Sequence, residues 1–454
     1  MRRGRSGWAR PRILFTTLVV LALVASSPTA AAAAPPNVVG ATNSPVDQLA
    51  VTAAGAVQDF WRRTFPTTFG RQWNDISGGF YSVDTRNPAA PLPPCVDRLD
   101  EMAGQALYCP SADVVAWDSG RLLPELRQRF GDAAVVVVIA HEIGHAVHYR
   151  LGLTAALERE PQRWPTILVE AAADCFAGAA IRDIRDIRDG NTPGLPIDRG
   201  QLDDAMRALI SFRDPVGTAA TETDAHGNAF DRASAFQDGY RKGGRACAEM
   251  TIDNRTFTAR RIGSAADAAR DGNLPTAELL ASVGADARAW FTELVAGGGR
   301  SWQAPALSTD PAAPPCPAGG DQGPVQYCPS DGRITVHVAA LTTVHDSIGD
   351  YAGGVLVASR YALAAAAALR QPVQGPVAGR RALCLAGAYT GDLLMRSGRG
   401  YQPSPGDLDE AVHTLLALDY AQRDAGGAVG GEEAGFERVE IFRAGTLGGP
   451  PACG

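Results

Sequence analysis

One segment constrains this chain more than any other: residues 131–152, which contain His-Glu-Ile-Gly-His at positions 141–145. Residues four apart on a helix share a face, so this spacing predicts a helix on which His141 and His145 can bind one metal ion. Glu142 lies about 100° further around, where it can contact a metal-bound water without being a ligand. Zinc lowers the pKa of such a water to about 7, and Glu142 would accept its proton. The alternative interpretation is a buried helix that carries two histidines by chance.

A catalytic zinc site needs a third protein ligand and an open fourth position. Glu170 is the candidate, because it lies in an alanine- and leucine-rich segment, 167–177, that lacks Gly and Pro and predicts a second helix. Asp174 follows four residues later on the same face, where it can accept the spare ring N–H of a ligating histidine. The alternative is a solvated acidic face. Aliphatic residues surround the pair, however, and buried carboxylates without a cation are costly.

These two segments resemble a known family. Residues 140–145, followed by Glu-x-x-Ala-Asp-Cys-Phe-Ala-Gly at 170–178, look like the neutral zinc metallopeptidases of bacteria. Asp-Ala-His-Gly at 224–227, with Arg232, Phe236 and Gly239 after it, is similar to the C-terminal signature of that family. The resemblance covers roughly residues 95–247 and stops short of the C-terminal half. It implies a zincin-like peptidase with a gluzincin-type site, in which zinc is held by His141, His145 and Glu170, Glu142 is the base, and Asp174 lies behind the ligands.

The N-terminal residues 1–36 have the pattern of a secretory signal peptide. Five arginines precede an apolar run at 13–25, which is too short to span a membrane comfortably, and small residues with A-x-A cleavage sites follow at 26–34. We therefore expect a secreted, extracytoplasmic protein, the alternative being an uncleaved N-terminal anchor. No later apolar run is expected to be long enough to span a bilayer. The net charge of −7 gives no reason to expect a nucleic-acid partner.

An internal repeat is the most informative feature of the chain's organisation. Trp61 and Trp73 are 12 residues apart, as are Trp290 and Trp302. Phe-x-Arg at 230–232 recurs at 436–438, and each half has four cysteines in matching order. We therefore predict a tandem duplication, with a peptidase domain at 37–262, a linker at 263–274 and a degenerate copy at 275–454.

The second copy lacks the proposed site. The matching positions carry Ser359 for His141, Arg360 for Glu142, Leu363 for His145, Gly379 for Glu170 and Leu383 for Asp174. All five chemical groups are absent together while the surrounding frame is retained. This pattern predicts a non-catalytic second half and supports a common role for the five residues of the first half.

Two further histidines need an interpretation. His226 is present only in the first copy, where the family signature also lies, and we expect it to donate a hydrogen bond to the developing oxyanion. The alternative is a turn histidine, since Asp-Ala-His-Gly-Asn is a loop-like sequence. His148 is three residues after His145, and we expect it at the helix surface because three metal ligands on one helix would crowd.

Eight cysteines in an exported chain predict disulfides. Matching positions in the two copies favour pairing within each copy. The predicted pairs are Cys95–Cys109, Cys175–Cys247, Cys316–Cys328 and Cys384–Cys453. Zinc bound by cysteine is the weaker interpretation, since the chain has no C-x-x-C pair.

The predicted fold class is α+β and mostly helical. Residues 111–118 form the strand that we expect at the sheet edge, where an extended substrate could pair with it. The function predicted from these features is an exported zinc-dependent peptidase, with one Zn²⁺ per chain and a peptide or protein as substrate. The alternative is a secreted binding or structural protein in which the metal only stabilises the fold.

Overall fold

The computed structural model describes Met1 and residues 36–153, 159–160, 163–186, 195, 197–314, 316–317, 320–396, 398–431 and 433–454. The predicted signal peptide lies almost wholly outside these residues, so export and cleavage stay predictions.

The first half combines helices with one small sheet. Its strands are β1 (Val38–Val39), β2 (Gly79–Val83), β3 (Ala106–Cys109) and β4 (Val114–Asp118). Its helices are α1 (Pro45–Phe69), α2 (Leu122–Phe130), α3 (Asp132–Arg150), α4 (Thr166–Asp186), α5 (Arg199–Ser211), α6 (Ala229–Lys242) and α7 (Gly244–Ala248), with a 3-10 turn at Leu99–Met102. The predicted linker contains α8 (Ala265–Ala268). The mostly helical α+β fold predicted from the sequence is therefore correct.

The sheet corrects one prediction. Its strands lie in the order β1-β2-β4-β3, and β3 is antiparallel to β4. The prediction that segment 111–118 is the edge strand is wrong, because β4 pairs with β2 on one side and β3 on the other. All five residues of β4 are buried, as expected for a central strand covered on both faces. The edge strand next to β4 is β3, and β1 forms the opposite edge. The four residues of β3 are too few to predict a strand by alternation.

Helix α3 is the centre of the first half. Four consecutive valines at 135–138 favour β structure locally, yet they form part of the helix that the histidine spacing predicts. Almost every side chain from Ala133 to His148 is buried, because α3 packs against α1, α2, α4 and α5. Packing on all sides explains why the sequence is apolar all around this helix.

The second half repeats this order of elements. It comprises α9 (Thr276–Gly297), β5 (Leu307–Ser308), β6 (Val325–Cys328), β7 (Arg333–Val336), α10 (Val338–Ile348), α11 (Asp350–Ala368), α12 (Pro376–Met395), α13 (Asp407–Ala417) and α14 (Gly435–Gly448), with 3-10 turns at Tyr420–Gln422 and Pro450–Cys453. The strand order β5-β7-β6 pairs one parallel and one antiparallel neighbour, as β2-β4-β3 does in the first half. A tandem duplication would produce this order; the duplication itself stays our prediction.

Reciprocal hydrogen bonds join the two halves. Asp203 of α5 accepts the backbone N–H of Gly435 and Phe436 at the start of α14, both at 2.7 Å. Asp409 of α13 accepts the backbone N–H of Ala229 at the start of α6, also at 2.7 Å. Each carboxylate satisfies otherwise unpaired N–H groups of a helix in the other half. Residues Pro35–Gly454 accordingly form one compact unit; the predicted division at 263–274 stays a prediction from sequence.

The structure pairs the cysteines as the sequence predicts. The disulfides are Cys95–Cys109, Cys175–Cys247, Cys316–Cys328 and Cys384–Cys453, so each half of the chain contains two. Disulfides persist in oxidising compartments, which fits an extracytoplasmic protein.

One later helix, α11, is both long and apolar. Among the described residues, α11 is the single helix whose length and composition would suffice to cross a membrane, so the prediction that no such run exists is wrong. Of its most apolar stretch, 89% is buried inside the fold. This burial is typical of a core helix, and α11 is the counterpart of α3 in the second half.

Candidate metal centre

The close approach of α3 and α4 brings the predicted ligands together. A Cβ atom at Gly144 would lie only 2.6 Å from the carbonyl oxygen of Ala173 on α4. The absence of a side chain at Gly144 therefore lets the two backbones touch. As a result, Glu170 and Asp174 on α4 face the histidines of α3 directly.

Three donor atoms converge at this contact. The Nε2 atoms of His141 and His145 are 3.1 Å apart. The carboxylate oxygens of Glu170 lie 3.3 Å from Nε2 of His141 and 3.5 Å from Nε2 of His145. Donors bound about 2.0–2.2 Å from one tetrahedral ion are separated by about 3.3 Å. The observed spacing therefore fits a single zinc ion, and two imidazoles with one carboxylate are donors that zinc accepts.

Asp174 fixes the orientation of His141. Its Oδ1 lies 2.7 Å from Nδ1 of His141, and its side chain is fully buried. Burial would raise the pKa of Asp174, but the charges of Arg232 and His141 lower it. Because the ionised carboxylate can only accept, Nδ1 carries the proton and Nε2 keeps its lone pair for a metal.

Arg232 belongs to the site, although sequence reasoning gave it no role beyond its place in the family signature. Its Nε and Nη2 atoms donate to both oxygens of Asp174 at 3.0 and 2.8 Å, and Nη1 donates to the carbonyl of Phe212 at 2.9 Å. Phe-x-Arg at 230–232 recurs at 436–438, so an arginine, Arg438, also occurs at the matching position of the second half. Arg438 indeed donates to the carbonyl of Leu415 at 2.7 Å, so the two arginines share only the structural part of the role.

Glu142 lies beside the three donors without joining them. Burial raises the pKa of Glu142 to about 7; the charge of Glu170 acts in the same direction, while His141, Arg232 and the backbone N–H of Tyr108 oppose it. A carboxyl group with a pKa near neutrality can both take up and release a proton at physiological pH. The position suits the predicted base.

A cleft of about 580 Å³ opens over these residues. One wall is edge strand β3. In an antiparallel pair, residues alternate between bonding to the partner and facing away. Asp118 N–H donates to the carbonyl of Gln105 at 2.9 Å, so Gln105 and Leu107 bond to β4, whereas the backbone groups of Ala106 and Tyr108 face the cleft. The proximity of the Tyr108 N–H to Glu142 agrees with this pattern.

His226 lines the opposite side of the cleft. Its Nδ1 lies 3.3 Å from Oδ1 of Asp214, whose other oxygen accepts the backbone N–H of His226 at 2.7 Å. The His226 side chain is 49% exposed. Asp214, which the sequence did not single out, therefore holds the loop and the ring, and leaves Nε2 available to a molecule in the cleft. The oxyanion role stays a prediction.

The prediction for His148 is wrong. Its side chain is 1% exposed and borders the cleft rather than the outer surface. The error arises because α3 is covered on all faces, including by Trp164, whose ring centroid is 6.1 Å away. Burial lowers the pKa of His148 to about 4, so the ring is neutral at physiological pH.

The matching region of the second half is filled by protein. Arg360, at the position of Glu142, is 1% exposed and donates to the Gln322 side chain and the Tyr420 carbonyl. Gln322 in turn donates to the carbonyls of Tyr327 and Ala425. These side chains occupy the space next to strand β6, which corresponds to the cleft wall in the first half.

Comparisons with known proteins agree with this geometry. The model of a family described as "Putative neutral zinc metallopeptidase" matches residues 17–251. Two curated relatives from Escherichia coli, strains K12 and O6:H1, are both named "Uncharacterized protein YpfJ". Each is 27% identical over 161 residues, which is 31% of this chain and 53% of the relative. The chain thus spans about half the length of the curated relatives it matches. No solved structure matches the chain.

Proposed function

Because the chain belongs to the neutral zinc metallopeptidase family, we propose that it is an exported peptidase that hydrolyses peptide bonds in the cleft over His141, His145 and Glu170. One observation carries the proposal: two imidazole Nε2 atoms and the carboxylate oxygens of Glu170 lie 3.1–3.5 Å from one another at the floor of an open cleft. A structural zinc site is closed by four protein ligands, whereas a catalytic site leaves one position open. Three protein donors that face an open cleft therefore support a catalytic zinc site and not a structural one.

The cleft wall supports a peptide as the substrate. Within the described part of the chain, the backbone N–H and C=O of Ala106 and the C=O of Tyr108 point away from β4 toward the cleft, as the register of β3 and β4 requires, while the Tyr108 N–H lies against Glu142. An extended peptide would add to this edge as a further strand, with backbone hydrogen bonds giving affinity that does not depend on side chains. The scissile bond would lie near Tyr108, because Glu142 is adjacent to the backbone N–H of that residue.

The residues around the donors supply proton transfer and charge stabilisation. When bound, zinc polarises the scissile carbonyl and lowers the pKa of a coordinated water to about 7. Glu142 accepts the proton of the attacking water and passes it to the leaving amine. His226, held by Asp214, donates a hydrogen bond from Nε2 to the oxygen that becomes negative. Asp174 and Arg232 keep His141 in the orientation and tautomer that bind the metal.

Export is part of this proposal. Four disulfides support an oxidising compartment, and residues 1–36 would direct the chain there and then be removed.

The test compares Glu142→Gln with the wild-type protein. Zinc content is measured by mass spectrometry, and hydrolysis is followed with casein and with peptides, with and without chelator. We expect Glu142→Gln to keep its zinc and to hydrolyse substrates at least about a hundredfold more slowly, because a general base usually contributes that much to the rate. Wild-type rates in that variant would refute the role of Glu142. If chelator unfolds the protein and no substrate is cleaved by the wild type, the metal is structural and the alternative function is correct.

A further inference from the structure

A second groove, of about 650 Å³, continues from the cleft. Phe212 and Arg213 line both. Ala103 and Gly104, which line the groove, directly precede Gln105 and Ala106, which line the cleft. The groove therefore extends the cleft beyond the N-terminal end of edge strand β3.

The groove is positively charged although the whole chain is acidic. Its ionised side chains are four arginines and one glutamate, whereas the complete sequence has a net charge of −7. His413 at its floor is neutral, because burial, helped by the charges of Arg213 and Arg207, lowers its pKa to about 4. A cluster of one sign in a concave wall concentrates the field and attracts oppositely charged groups.

The arginines differ in how far their charges are already compensated. Arg207 donates to Asp204 and to the carbonyl of Leu416, and Arg213 pairs with Asp409 at 2.9 Å. Arg129 pairs with Glu125 at 3.2 Å. The fourth arginine that lines the groove is Arg121. Within the described part of the chain, the exposed guanidinium of Arg121 makes no hydrogen bond or ion pair.

From this arrangement we propose that the groove binds a carboxylate of the peptide substrate and that Arg121 is its main contact. The inference rests on the proposed function, since it assumes a peptide paired with β3. A strand advances about 3.3 Å per residue, so a peptide cleaved near Tyr108 reaches the groove at Gly104 after three or four residues. The carboxylate is either an acidic side chain at that distance from the cleaved bond or the C-terminus of a short substrate. Arginine suits both, because its planar fork binds carboxylates through paired hydrogen bonds.

The test uses the full zinc-loaded protein and a neutral parent peptide selected from those that the wild type cleaves. Glutamate replaces a neutral residue three or four positions from the cleaved bond, on either side. A second pair of peptides ends at that position with a free or an amidated C-terminus, which separates the two sources of the carboxylate. Charged hydrogen bonds of this kind predict a rise of about tenfold in kcat/KM for one of the acidic peptides.

Variants locate the effect. Arg121→Glu should remove the preference for the acidic peptide and favour lysine at the same position, while Arg399→Glu, an exposed arginine outside the groove, should keep the wild-type ratio. Anisotropy of a fluorescent acidic peptide bound to Glu142→Gln provides a readout other than activity, and its affinity should fall as salt increases.

Equal kcat/KM for acidic and neutral peptides at low salt, or equal effects of Arg121→Glu and Arg399→Glu, would overturn the proposal for the groove while leaving the peptidase function intact. If the wild type cleaves no peptide, the proposed function fails, and the anisotropy measurement alone decides whether the groove binds carboxylates.

Discussion

At the scale of single residues, the metal centre depends on a buried chain of charges behind the ligands. Arg232 holds Asp174, and Asp174 holds His141. The Arg232 and Asp174 side chains are 4% and 0% exposed, so water cannot replace either partner. Loss of a partner of this kind typically weakens metal binding by about 10–100-fold.

We predict that Asp174→Asn weakens zinc binding by about 10–100-fold, the usual cost of losing such a partner. The amide cannot accept from Nδ1 and from Arg232 as a carboxylate does, so His141 loses its fixed tautomer. Competition titration against a chromophoric chelator measures the affinity. Asp214→Asn is the matched control, because Asp214 holds His226 and no metal donor; it should bind zinc as the wild type does. Equal zinc affinities in Asp174→Asn and wild type would contradict this interpretation.

The residues that could be predicted are those whose role shows in spacing. His141, Glu142 and His145 lie within about one helical turn. Glu170 and Asp174 are four residues apart, which places both on one face of a second helix. Arg232 could not be assigned in this way, because an arginine also occurs in the second copy and its carboxylate partner is 58 residues away. Which charges meet across a helix contact is decided by packing, which periodicity does not report.

At the scale of elements, the strand that faces the cleft was misplaced by sequence reasoning. The valine-rich segment before Asp118 signals a strand clearly because it is central and buried, and such strands are the most apolar ones. The edge strand β3 is short and half exposed, so its signal is weak. The helix predicted in 131–152 agrees with the observed Asp132–Arg150, since its histidine spacing marks it clearly, whereas the helix predicted at 167–177 extends to Asp186.

The position of β3 gives a prediction. Ala106→Pro should raise KM for peptides about tenfold or remove hydrolysis, because it deletes an N–H that faces the cleft and not β4. Zinc content and the melting temperature should stay within error of the wild type, since proline is tolerated at a strand edge whose N–H is free. Steady-state kinetics with a fluorogenic peptide provide the measurement. An unchanged KM in a folded variant would show that substrates do not pair with β3.

A second cluster of carboxylates lies where α11 and α13 begin. Asp350, Asp407 and Glu410 are buried, and donor oxygens from all three lie within 4.8 Å of one another. Burial raises the pKa of Asp407 to about 8 and that of Glu410 to about 9, and the neighbouring carboxylates add to both shifts. A carboxyl group whose pKa is raised by folding stabilises the fold fully below its unfolded pKa near 4, and this contribution is lost as the pH rises through its folded pKa.

We therefore predict that the fold loses stability between pH 5 and pH 9 and that Asp407→Asn reduces the loss. The asparagine can still accept from Tyr401 or Ser404 but adds no charge at high pH. Relative to wild type, the drop in melting temperature between the two pH values should shrink by at least about 2 °C. Calorimetry measures the melting temperatures at both pH values. Chelator is present in all samples, because it removes any contribution from bound metal. Asp310→Asn, at an exposed position of the same half, should leave the drop unchanged; an unchanged drop in Asp407→Asn would refute the prediction.

At the scale of the whole molecule, the contact between the halves is reciprocal. Asp203 caps a helix of the second half, and Asp409, which follows a leucine at 408 as Asp203 does at 202, caps a helix of the first. Contacts in which each partner uses the same surface are those of two copies related by a two-fold axis. This pattern is expected if the duplication joined two copies that once paired as a dimer. It gives the second half a structural task that needs no catalytic residues.

Truncation tests this role. Residues 37–262 alone would lose the cap from Asp409 and expose Phe236 and Tyr240, whose ring centroids lie 6.2 and 4.9 Å from that of Phe436. Exposed aromatic surface and unpaired helix ends predict aggregation or incomplete folding. Size-exclusion chromatography and circular dichroism report the outcome. A truncated chain that is monomeric, folded and as stable as the full chain would show that the second half does not support the first.

We propose above that two imidazoles and one carboxylate of the first half hold one zinc ion. The most direct measurement is the metal content of the purified chain and of His145→Ala, determined by mass spectrometry after dialysis. We predict one zinc per chain in the wild type and less than about a tenth of that in His145→Ala, because removing one of three protein ligands leaves too few donors. A wild-type chain without zinc, or a variant that retains its zinc, would contradict the account.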